Sequence, residues 1–217
     1  MTAQFPVVVL ISGNGSNMCA LADHAATGAV PFEIRAVVSD RAEAPGLARA
    51  RERGIVTASQ SARDFPSREA FDLKLADLVA SYTPKLVLLA GYMKILSKAF
   101  VHRFTGRLLN IHPSLLPRYP GLGTHRRVLE AKDPEHGATV HFVTDELDGG
   151  PPIAQGRIAV LPNDTEESLA ARVHRVEHII YPRTVEWFVS ERLVLRDRQA
   201  VLDGKPLDAP ISIAIDE

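Results

Sequence analysis

Val7-Val8-Val9-Leu10-Ile11-Ser12-Gly13-Asn14-Gly15-Ser16-Asn17 reads as a strand that runs into a glycine turn and then into a helix. Its first five side chains leave no polar face, which is the pattern of a strand covered on both sides in a parallel sheet. The glycines permit a tight turn, and the helical pattern after them continues to Gly28, a stop signal. The same alternation repeats outward from this unit. Strands are expected over 34–38, 55–58, 86–90 and 108–111, and helices over 45–53, 67–82 and 97–104, with Gly54 closing one helix and Ser67 capping another. Strand and helix in turn predict an α/β fold, a Rossmann-like, mostly parallel sheet with helices on both faces.

The pattern changes after Pro117. A turn-rich loop over 118–124 leads to a short helix over 126–131, a partly alternating strand over 138–143, and a loop dense in carboxylates and glycine, Asp145-Glu146-Leu147-Asp148-Gly149-Gly150-Pro151-Pro152. A strand over 153–160 follows. Asp164-Thr165-Glu166-Glu167 reads as a capping box for a long helix with the apolar stripe Leu169, Val173, Val176 and Ile180, interrupted near Pro182. Past Arg192 the expectation is a small hairpin and a loose end. These are antiparallel additions in the C-terminal half. With no repeat or low-complexity linker, residues 1–217 read as one domain, with halves of about 1–105 and 106–217.

Composition narrows the function classes. A chain of 217 residues, 46% hydrophobic and 24% charged, can bury a substantial core. A formal net charge of -1 offers no field to hold a polyanion, which argues against a nucleic acid partner. The apolar run ending at Ile11 is too short to span a bilayer and has no cationic segment before it. Cys19 is the lone cysteine, which rules out an internal disulfide and suits a reducing compartment; a cytoplasmic location without membrane contact is the expectation.

Four features bear on chemistry. The glycine turn presents backbone N–H groups at a helix N-terminus, an arrangement that attracts phosphate. A dinucleotide fingerprint wants a third glycine where Met18 stands, yet Asp40 ends a strand where a ribose is often held, so a nicotinamide reading and a simple tight connection both stay open. Second, Asn110 and His112 are two apart on one strand and project from one face, with Pro113 ending the strand. With Asp148 they form a set suited to addition at a carbonyl, against the plainer reading of a satisfied histidine and a turn aspartate. Third, His174-Arg175-Val176-Glu177-His178 fits a metalloprotease pattern but lacks a third ligand, so no metal is expected; Glu177, beside the apolar stripe, is placed to face a ligand amine. Fourth, Met93, Lys94, Ile95 and Leu96 follow a strand end and suit a flat ring as well as a core. Ser114 has no Gly-x-Ser-x-Gly elbow, so acyl-enzyme chemistry is disfavoured.

Four blocks, over 10–17, 89–96, 110–117 and 141–150, carry a resemblance. The chain resembles the phosphoribosylglycinamide formyltransferases, of the folate-dependent formyltransferase family, nearly throughout up to about Trp187. The resemblance implies transfer of a formyl group from 10-formyltetrahydrofolate, a cosubstrate, to the amine of glycinamide ribonucleotide in purine synthesis, without a metal. It implies Asn110, His112 and Asp148 as catalytic residues, and Gly15, Ser16, Asn17, Pro113, His174 and Glu177 beside the ribonucleotide. Arg68, Met93, Lys94, Ile95 and Leu96, together with Thr144, Asp145, Glu146 and Leu147, would border the folate. The partners implied are small-molecule substrates, with the chain a monomer or homodimer. Two other assignments stay open: a formyltetrahydrofolate hydrolase or another folate formyltransferase with the same trio, and a noncatalytic nucleotide- or NAD-binding domain using Gly13, Gly15 and Asp40.

Overall fold

β1 (Phe5–Ile11) lies between β4 (Leu86–Leu89) and β2 (Phe32–Ser39), with β3 (Thr57–Ser59) beyond β2, in a computed structural model that describes residues 4–215. All three pairings are parallel, and Leu10 faces Leu89 on one side and Val38 on the other. Val7 to Ile11 have no exposed surface, so each large side chain contributes about 1.5–3 kcal/mol of burial. The connections are α1 (Ser16–Ala26), α2 (Pro45–Glu52) and α3 (Arg68–Ser81), and α4 (Lys98–Arg103) follows β4. Ser67 caps α3 as expected, its hydroxyl oxygen accepting from Ala70 N at 3.2 Å. The strand order reverses between β4 and β1, the place where open α/β sheets take their ligands. These elements form a first compact unit, which ends at Leu109.

The glycine turn is braced from beside. Gly15 caps α1 in the left-handed region at φ 69, and Gly46 N donates to Gly13 O at 3.0 Å. A Cβ on Gly46 would stand 2.5 Å from Ile11 Cδ1 and 3.0 Å from Gly15 Cα, so the start of α2 approaches the turn only because residue 46 has no side chain.

The second unit begins at Asn110. Its strands run in the order β5 (Leu108–His112), β6 (Glu135–Phe142), β7 (Pro152–Ala159) and β11 (Ile211–Ile213). β6 and β7 are antiparallel, as expected for this half, and their register shifts between Val140 and His141. The short helix α5 (Thr124–Ala131) joins β5 to β6, and the long helix α6 (Glu166–Val189) buries Leu169, Val173, Val176 and Ile180. Gly156 on β7 lets α6 come close, since a Cβ there would fall 2.3 Å from Val176 Cγ1.

Three expectations are corrected. α6 is not interrupted at Pro182: the proline removes one N–H, but Ile180, Tyr181, Thr184 and Val185 are buried around it and hold the helix across the gap. The capping box pairs Thr165 with Ser168 rather than with a glutamate, and Asp164 instead binds Arg172 at 2.9 Å. The tail is no loose end. After the expected hairpin of β8 (Leu193–Arg196) and β9 (Gln199–Leu202), β10 (Lys205–Pro206) pairs back on β9, and β11 adds to β7 in parallel with Ile211 opposite Ala154.

Gly46→Ala is expected to destabilise the first unit by about 1–3 kcal/mol through the clash with Ile11 and the turn, lowering the thermal midpoint by about 2–12 °C in calorimetry. A midpoint shifted by less than about 1 °C would show that the turn does not need this contact.

Candidate active site

β5 carries Asn110 and His112 to its own end, where Pro113 halts the strand. His112 is 6% exposed, and both its ring nitrogens face oxygen. Nε2–H donates to the Tyr119 carbonyl at 3.0 Å, and Nδ1 stands 3.5 Å from Asp148 Oδ2. The same carboxylate oxygen accepts from Gly121 N at 2.8 Å. Asp148 itself sits at φ 51, a left-handed turn position that aspartate tolerates better than most residues.

Asn110 does not bond His112. Its Nδ2 lies 3.0 Å from His141 Nε2, and His141 Nδ1 lies 2.9 Å from the Phe142 carbonyl. A carbonyl only accepts, so the His141 proton is on Nδ1 and Nε2 accepts from the amide. Burial pushes the His141 imidazole well below its ordinary value, which keeps it neutral and suited to that role. Its Nε2 is also 3.9 Å from Asp148 Oδ1, so one carboxylate lies beside both rings. Gly150 supports this turn: a Cβ there would fall 1.8 Å from the Phe142 carbonyl oxygen.

The chain after Pro113 is stapled down by buried side chains. Ser114 Oγ donates to the Arg118 carbonyl at 2.6 Å, Thr139 Oγ1 donates to Ser114 O at 2.6 Å, and Gln155 Nε2 donates to Leu116 O at 2.8 Å. These bonds hold the segment whose Tyr119 carbonyl meets His112. Elsewhere in this unit Glu177 is 3% exposed on α6 while His174 is exposed. His174 and His178 stack with ring centroids 6.5 Å apart. Among the described residues no group of three or more His, Cys, Asp or Glu side chains has the arrangement of a metal site. Thr144 is half-buried, and Asp145, Glu146 and Leu147 are exposed on the loop before Asp148.

In the first unit, Gly15, Ser16 and Asn17 open α1, with Asn17 buried and Met18 fully buried against Gly15. Asp40, at the end of β2, is 7% exposed. Met93 to Leu96 have no regular structure; Met93, Lys94 and Ile95 are exposed. Arg68 donates to the Ile95 carbonyl and lies 3.9 Å from Asp72, so its guanidinium braces the segment.

A family model described as "Formyl transferase" matches residues 6–185. The chain belongs to the formyl transferase family. Among relatives of this formyl transferase, the phosphoribosylglycinamide formyltransferase of Escherichia coli (strain K12) is 53% identical over 211 residues, 97% of this chain and 99% of the relative. The solved phosphoribosylglycinamide formyltransferase of Coxiella burnetii matches with a TM-score of 0.90 and 49% identity, over 96% of this chain and 99% of that one. A formyltetrahydrofolate deformylase from Pseudomonas syringae pv. tomato str. DC3000 shares the fold at a TM-score of 0.86 and 23% identity, over 93% of this chain and 66% of that one.

The formyl transferase thus brings together His112, Asp148 and, through His141, Asn110. Sequence reasoning passed over His141 as a functional group, because the register shift before it re-aims a side chain that strict alternation cannot place. It also passed over His125 and His136, whose Nδ1 and Nε2 lie 2.9 Å apart with one proton between them. Burial, followed by the neighbouring charges of His174 and His112 on one ring and of His125 and His112 on the other, pushes both down to about 4.

That pair is expected to make the formyl transferase acid-sensitive. Below the ordinary imidazole value of about 6.5 the unfolded chain takes up protons that the folded pair refuses. Its contribution to stability is complete above about pH 6.5 and is lost as the pH falls towards 4. The thermal midpoint is expected to be level above about pH 7 and to drop steadily below about pH 6.5; a level midpoint down to about pH 4.5 would refute this role.

Proposed function

We propose that the chain transfers the formyl group of 10-formyltetrahydrofolate to the amine of glycinamide ribonucleotide, in line with the name phosphoribosylglycinamide formyltransferase that its Escherichia coli and Coxiella burnetii relatives carry. The observation that carries the chemistry is the His112 ring held 3.5 Å from Asp148 at the end of the strand that also bears Asn110. The amine nitrogen attacks the formyl carbon and a tetrahedral oxyanion forms. The oxyanion takes the place of the Tyr119 carbonyl as acceptor for His112 Nε2–H, and the Asn110 amide supplies a second donor. Asp148 holds His112 and, through water, helps carry the amine proton towards N10 of the folate. The bond from N10 to the formyl carbon then breaks, leaving tetrahydrofolate and the ribonucleotide N-formylated at its former amine.

Gly15, Ser16 and Asn17 hold the ribonucleotide phosphate, supported by their place at the N-terminus of α1, where the helix dipole favours an anion. Pro113, His174 and Glu177 lie along the rest of that substrate, the buried Glu177 carboxylate near its amine. Met93, Lys94, Ile95 and Leu96, with Arg68 beside them and Thr144, Asp145, Glu146 and Leu147 from the later loop, border the folate. The reading takes the protein as a cytoplasmic monomer or homodimer acting on small molecules, without metal, nucleic acid or membrane. No helix among the described residues is long and apolar enough to cross a membrane.

The test follows the loss of 10-formyltetrahydrofolate by absorbance with and without glycinamide ribonucleotide. Transfer is expected only with the amine present; equal turnover without it would make the chain a hydrolase like its deformylase neighbour in fold. His112→Ala and Asp148→Asn are each expected to lower kcat by at least about a hundredfold in folded protein, and a parental rate in either removes that residue from the mechanism. Glu177→Ala is expected chiefly to weaken ribonucleotide binding, so an unchanged ribonucleotide affinity would sink its assignment.

A further inference from the structure

Past the end of β4 the backbone loses its sheet partners, yet three side chains hold residues 93–97 in place. Ser12 Oγ accepts from Met93 N at 2.8 Å, Arg68 donates to the Ile95 carbonyl, and Asp72 Oδ2 accepts from Ser97 N at 2.7 Å. Ser12 and Asp72 are 3% and 1% exposed, so they act from beneath the segment. Met93 and Ile95, on the segment itself, are 64% and 56% exposed. Fixed backbone under exposed apolar side chains is the build of a platform for a flat ligand, not of a core. Ser12 is also the last residue before the glycine turn, and it stands where the strand order reverses, on the β1 side, while Met93 stands on the β4 side. One hydroxyl therefore ties the phosphate turn to the platform.

We infer that Ser12 and Asp72 are positioning residues for the formyl donor: they set the height and register of Met93 to Leu96, so that the donor's ring finds its platform already formed. The inference rests on the proposed reading of that segment as the folate border. Removing the Ser12 hydroxyl strands the Met93 N–H without its acceptor and frees the platform while leaving β1 in its sheet. Removing the Asp72 charge releases Arg68 and weakens the hold on Ser97 N.

Steady-state kinetics of Ser12→Ala, Ser12→Thr and Asp72→Asn test this. Ser12→Ala is expected to raise KM for 10-formyltetrahydrofolate about tenfold, with kcat and the ribonucleotide KM within about threefold of the parent. Ser12→Thr, which keeps the hydroxyl, restores the donor KM. Asp72→Asn is expected to shift the donor KM in the same direction, and it carries the test if circular dichroism shows that Ser12→Ala does not fold. An unchanged donor KM, or equal changes in both KM values, overturns the inference. If the unmodified chain transfers no formyl group, the proposed function falls and the inference with it; if it does and the donor KM stays put in the variants, the inference alone falls.

Discussion

A polar group shut away from water must find a partner, and that requirement shapes both ends of this chain's chemistry. Where β5 stops, the His112 ring is met by a carbonyl on one nitrogen and a carboxylate near the other. Where β1 and β4 stop, a serine hydroxyl takes the N–H that the ladder no longer serves. Each unmade bond of this kind costs about 1–3 kcal/mol, comparable with a large part of a protein's net stability. The side chains at the strand ends are therefore anchored by bonds that are costly to break, which is what the proposed reaction asks of its groups.

Histidines in the second unit differ in what their ring nitrogens meet. His141, His125 and His136 are kept neutral by burial and act as acceptors or mutual partners. His112 shares its carboxylate with His141 but keeps its other nitrogen on the Tyr119 carbonyl, and the proposed role as oxyanion donor rests on that N–H. Sharing Asp148 between His112 at 3.5 Å and His141 at 3.9 Å means that one turn residue orders two rings of different purpose. The glycines after it are dictated by space: a side chain at Gly150 would collide with the carbonyl that sets the His141 proton.

Much of this was legible in the residues. The unbroken apolar run of β1 and the recurring helix signals declare a parallel sheet, and the spacing of Asn110 and His112 before a proline declares a polar pair at a strand end. The carboxylate-rich loop before Gly149 and Gly150 offered Asp148 as a third member and the family blocks gave it the same role, although no spacing rule links it to a residue 36 positions earlier. What stayed hidden depended on tertiary context. The register shift at His141 cannot be seen in an alternating pattern, and Pro182 is tolerated because neighbours bury the helix on both sides of it. β11 has three residues and no turn signal strong enough to announce it. The resemblance put Arg68 beside the folate, and only coordinates show its guanidinium on the Ile95 carbonyl.

β11 has a consequence for biosynthesis. It closes the outer side of β7, from which it is separated by roughly fifty residues of chain, so on a ribosome adding about 5–20 residues per second β7 emerges several seconds before its cover. During that interval its unpaired backbone is a template for another nascent chain, and the charge of Arg157 in the middle of the strand works against such pairing. Removing the three residues of β11 would leave that edge of β7 uncovered for good, so their loss is an aggregation hazard rather than a harmless trim.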